Sequence, residues 1–152
     1  MSHKAAIALA FGIGMSSMAL AAQRPPAPDT LKVVDGGVLQ PLTDVPGNPK
    51  AGRVVFLDRK EGNCYACHAV SVLKDQPFPG EIGPRLDGIA KMLTTVQMRL
   101  IVTNPKLMFP GTIMPAFYHI TALHRVPAKL QGKTILNPQQ IEDVIAFLQT
   151  LK

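Results

Sequence analysis

The sequence predicts a small all-α domain preceded by an irregular Pro-rich N-terminal arm, and three observations carry that prediction. Near the C-terminus Ile141, Val144, Ile145, Leu148 and Leu151 fall on one helical stripe. Two Asn-Pro pairs, Asn48-Pro49 and Asn137-Pro138, stand where a helix is capped and entered. No strand-helix-strand alternation is found. The 152-residue chain also has no Trp and 14 Pro, so a core built from protein alone is thin for its length.

At the N-terminus, Lys4 is followed by an apolar run from Ala5 to Ala22 that carries no charge and ends in the A-x-A pattern Ala19-Leu20-Ala21. Residues 1–22 therefore predict a secretory leader, cleaved after Ala21 or Ala22. An uncleaved membrane anchor is the competing reading, but the run is near the lower limit for spanning a bilayer and is rich in Ala and Gly rather than Leu. About 130 residues then remain, one domain's worth of chain. Residues 23–47 show little periodicity and are expected to be either an extended arm that orders against a partner or a flexible tail. Residues 48–152 form the domain.

Within the domain, Asn48 and Pro49 begin a helix that runs toward Arg59, with Gly52, Val55 and Phe56 on one face and Gly62 as its stop. A second helix is expected over about Thr95 to Thr103, ending before Asn104 and Pro105. The terminal helix starts at Asn137 and Pro138, with Glu142 and Asp143 near its positive end. The first helix is short enough to need a partner, so it should pack on the terminal one, with Gly52 allowing close backbone approach.

Between these helices, Cys64, Tyr65, Ala66, Cys67 and His68 spell C-x-x-C-H, the covalent attachment signature of c-type haem. Two thiols at this spacing can each add to a haem vinyl group, and the adjacent imidazole falls under the iron. A disulfide or a thioredoxin-like dithiol uses only the cysteines and leaves His68 unexplained. A zinc site drawing on His119 and His124 needs a far longer gap than compact zinc fingers have. One covalent haem would also supply the missing core surface, and the working function is single-electron transfer.

His68 fills one axial position of the iron. Candidates for the other are Met92, Met98, Met108, Met114, His119 and His124. Met114 leads, because it sits in Pro110-Gly111-Thr112-Ile113-Met114-Pro115, a stiff loop suited to delivering a thioether. Met108 stands second and the histidines last. Soft thioether ligation raises the reduction potential, and two axial donors leave no vacancy for a substrate, which argues against peroxidase or oxygen chemistry. Gly83-Pro84-Arg85-Leu86-Asp87-Gly88 forms a turn expected to pass His68, with the Pro84 carbonyl a candidate acceptor for His68 Nδ1–H; a simple loop is the competing reading.

Charge adds a weaker hint. The 16 basic against 10 acidic residues give +6, and loss of Lys4 with the leader leaves +5, a modest excess suited to acidic redox partners. No Lys/Arg cluster is interleaved with aromatics, so nucleic acid carries little weight.

Taken together, C-x-x-C-H after a first helix, the Gly83-Pro84 turn, Pro110 to Met114, and an apolar terminal helix resemble the class I cytochromes c. FLDRKEGNCYACHAV (56–70), GEIGPRLDGI (80–89), NPKLMFPGTIMPAFY (104–118) and LNPQQIEDVIAFLQTL (136–151) are more specifically similar to SoxX, the monohaem subunit of the thiosulfate-oxidising SoxAX cytochrome. The resemblance implies one haem c on Cys64 and Cys67, with His68 and Met114 as axial ligands. It further implies a SoxA-like cytochrome as heterodimer partner, in an L-cysteine S-thiosulfotransferase complex whose thiol chemistry lies on SoxA. In that complex thiosulfate is coupled to a cysteine of the SoxYZ carrier, and a small soluble cytochrome c accepts the electrons. The expected location is the periplasm, with no membrane attachment after cleavage. A free-standing periplasmic shuttle is the alternative. Arg85 departs from the family pattern and is expected to meet a haem propionate or solvent.

Overall fold

The computed structural model describes residues 24–152, so the expected leader at 1–22 lies outside the described residues. The chain forms a two-stranded hairpin, β1 (Val33–Val34) and β2 (Gly37–Val38), then helices α1 (Pro49–Leu57), α2 (Ile89–Met92), α3 (Thr95–Thr103) and α4 (Pro138–Leu148). Among the described residues no helix is long and apolar enough to cross a membrane.

Local chemistry explains the helix bounds. Asn48 Oδ1 accepts from Lys50 N and Ala51 N at 2.9 and 3.3 Å, and Pro49 occupies the first helical position. Both Thr94–Gln97 and Asn137–Gln140 are reciprocal capping boxes at the starts of α3 and α4. The first helix stops at Leu57, earlier than the expected Arg59 and Gly62. Asp58 ends it, because its carboxylate takes Lys60 N at 2.7 Å while its carbonyl takes Asn63 N at 2.9 Å, and this local turn competes with helix propagation.

Helices α1 and α4 cross at near backbone contact. A Cβ on Gly52 would lie 1.9 Å from the Asp143 carbonyl oxygen, so only glycine fits there. Phe56 and Phe147 meet edge to face at 5.3 Å beside this crossing. Ile141, Val144, Ile145 and Leu148 form the buried face of α4, at about 1.5–3 kcal/mol per fully buried side chain. Leu151 lies past the helix end yet is buried, and its carbonyl accepts Ala90 N at 3.1 Å.

The arm is no free tail, because it orders against its own domain. Asp35 and Gly36, both at positive φ, turn the hairpin and pair Val33 with Val38. Val38 and Leu42 enter the core. The Val38 carbonyl accepts from Arg99 Nη1 at 2.8 Å, and Leu42 N donates to Glu142 Oε1 at 2.9 Å. Farther out, Tyr118 Oη donates to the Pro26 carbonyl at 2.7 Å, and Asp29 receives Ile120 N and Thr121 N. Glu142 and Asp143 are consequently more than helix-end charges: Glu142 pairs with Arg99, and Asp143 Oδ1 accepts Asn48 N at 2.7 Å.

Candidate functional site

Cys64–Ala66 forms a 3-10 turn entered through Asn63 at φ 48°. The Cys64 carbonyl accepts both Cys67 N and His68 N, at 3.1 and 2.9 Å, so the pentapeptide is one closed turn. Tyr65 roots it: the ring is buried against Phe56, and the hydroxyl donates to the Leu73 carbonyl at 2.9 Å. Both cysteines are unpaired thiols, half-buried. Burial pushes the Cys64 thiol up to about 12, with Cys67 adding to the shift. The sulfur is therefore held neutral against the core.

The segment after the motif is stitched back onto it. Gly80 N donates to the Tyr65 carbonyl at 2.9 Å, Gly83 N to Cys67 at 2.8 Å, and Leu86 N to Ala69 at 3.1 Å. His68 Nδ1 lies 2.7 Å from the Pro84 carbonyl oxygen. That acceptor places the proton on Nδ1 and leaves Nε2 free to ligate. Gly83 packs flat on the ring, since a Cβ there would sit 2.3 Å from Cε1. Arg85 is solvent-exposed, as one of its two expectations has it, and it also binds Asp87 at 2.9 Å and Ser71 Oγ at 3.0 Å. Asp87 also accepts Ser71 N at 2.8 Å, and this backbone bond together with Arg85 holds its carboxyl below the usual range.

The remaining candidates lie on other elements. Met114 is half-buried and packs against the hydrophobic core from the loop that follows α3. Phe117 N and Tyr118 N return that loop to the Val102 and Thr103 carbonyls. Met98 is fully in the core and Met92 is 64% exposed, while Met108 is half-buried. His119 pairs through Nδ1 with Asp29 of the arm. Among the described residues no three His, Cys, Asp or Glu side chains converge as a metal site. The structure thus joins Cys64, Cys67, His68 and Pro84 in one unit and supplies Met114 from a separate loop. Tyr65 and Gly83 are the residues whose site roles the sequence left unread. Only the contacts they make disclose them.

This donor set fits haem c: two free thiols in one turn, an imidazole oriented through Nδ1, a glycine that clears its face, and a thioether on the core. Residues 49–152 match the family model for cytochrome c. The chain is 45% identical to a chain of the crystal structure of SoxXA from P. pantotrophus, over 84% of this chain and 98% of that one, with a TM-score of 0.78. A more remote likeness is to the c-type cytochrome SorU from Sinorhizobium meliloti, at 27% identity over 68% and 88% of the two chains and a TM-score of 0.44. No curated protein matches.

Proposed function

This chain belongs to the cytochrome c family as a SoxX-type monohaem subunit with an electron-transfer role, and on that premise we propose that it relays electrons inside a periplasmic SoxAX complex. The partner is a SoxA-like cytochrome, with which the chain forms a heterodimer. The electrons come from coupling thiosulfate oxidatively to a cysteine thiol of a SoxYZ carrier, and they leave to a small soluble cytochrome c. Residues 1–22 serve as the export leader. The observation that carries this reading is the 45% identity maintained over 98% of a SoxXA chain.

Haem c, when bound, supplies a one-electron couple that needs no bound substrate. The residues around it have separable tasks. Cys64 and Cys67 hold the group through thioethers, so it cannot be lost outside the cell. The Pro84 carbonyl retains the His68 Nδ1 proton and fixes the ring, and Gly83 stacks against that ring. His68, through Nε2, and Met114, through its thioether, are the residues that would hold the iron. The soft sulfur favours the reduced state and raises the potential, making this chain an acceptor for electrons leaving the partner.

Purification from the native host tests the proposal. The expected result is a stable complex with a larger cytochrome. Recovery as a lone monomer with no associated cytochrome would establish a free shuttle instead.

A further inference from the structure

The loop carrying Met114 packs that side chain against the core and leaves other apolar side chains exposed. Leu107, Phe109 and Ile113 are 60%, 49% and 79% exposed. Polar contacts close the loop internally, and one side chain makes the longest-reaching of these. Asn104 Oδ1 accepts Lys106 N at 3.2 Å and starts the 3-10 turn Pro105–Leu107. From that turn Lys106 Nζ donates to the Thr112 carbonyl at 2.7 Å and to the Met114 carbonyl at 2.6 Å. An ammonium has three donors, so one lysine can serve both oxygens at once, and charge assistance strengthens each bond. Thr112 completes the arrangement, because its Oγ1 accepts Met114 N at 3.2 Å.

We propose that Lys106 is a positioning residue for the distal ligand: its ammonium ties the two arms of the loop together and thereby sets how firmly the Met114 thioether is presented. This deepens the functional reading above and rests on Met114 being the iron ligand. A thioether is a weak donor, so its hold depends on the loop staying closed. With the ammonium gone, the Thr112 and Met114 carbonyls turn to water and the loop opens at lower cost. The global fold is untouched, because Lys106 is exposed and its bonds stay within this loop.

The test is titration of the ferric holoprotein with imidazole, which competes with the thioether, followed through the methionine-to-iron charge-transfer absorption. Lys106→Met is expected to bind imidazole about tenfold more tightly than the parent, with an unchanged thermal midpoint, while Lys106→Arg stays within about threefold of the parent. Parental imidazole affinity in Lys106→Met, with the absorption present in the parent, overturns the role of Lys106 alone. Absence of that absorption in the parent overturns Met114 as ligand, and the role of Lys106 with it.

Discussion

The guanidinium of Arg99 grips the carboxylate of Glu142 in a fork, Nε to Oε1 at 2.7 Å and Nη2 to Oε2 at 3.0 Å, with only 5% and 8% of the two side chains exposed. Each charge has a further partner, the Val38 carbonyl for Arg99 and Leu42 N for Glu142. One buried pair therefore joins α3, α4 and the arm. Removing half of it strands the other charge, so Glu142→Ala is expected to cost about 3–5 kcal/mol in denaturant unfolding. The double variant Arg99→Met/Glu142→Leu should recover most of that loss.

Gly52 sets the distance between α1 and α4. Gly52→Ala places a methyl group where the Asp143 carbonyl already stands, and backbone cannot swing aside as a side chain can. Forced separation of the helices is expected to lower stability by about 1–3 kcal/mol or more, read as a fall in the denaturation midpoint.

The elements with strong local chemistry were the ones the sequence made legible. Cap residues at Asn48 and Asn137 announce two helices, and α3, read from its stop before Asn104 and Pro105, has the expected bounds, Thr95–Thr103. The four residues of α2 are too few to show a period. The hairpin at Val33–Val38 carries a readable signal in Asp35-Gly36, but strands of two residues give no alternation beside it. Arg99 and Glu142 stand 43 positions apart, and in one dimension each looks like an ordinary solvated charge. Their burial depends on the arm closing over them, which no local pattern encodes. At the site, C-x-x-C-H and the Gly83-Pro84 turn were readable as a motif and a candidate acceptor. The packing of Gly83 on the imidazole and the pairing of Arg85 with Asp87 and Ser71 required the folded chain.

Met114→Ala is expected to leave the haem attached while abolishing the methionine-to-iron charge-transfer absorption and lowering the reduction potential. An unchanged spectrum would direct attention to Met108 or a histidine.

Asp87 confers a pH dependence of definite sign. Its folded carboxyl titrates below the ordinary value of about 3.9. Its contribution is therefore complete above that value and is lost only as pH falls through the lower, folded one. Hydrogen exchange of the Ser71 amide, which donates to Asp87 at 2.8 Å, should keep its opening equilibrium constant from neutrality down to about pH 5 and loosen in stronger acid. In Asp87→Asn that acid loosening should disappear.

The most direct measurement is the intact mass of the chain, taken under denaturing conditions after expression with functional haem-maturation machinery. The expected value is that of the mature polypeptide plus one haem, with the colour staying on the protein in acidified organic solvent. A mass equal to the bare polypeptide, or pigment that passes into the solvent, would contradict covalent attachment and with it the electron-relay role.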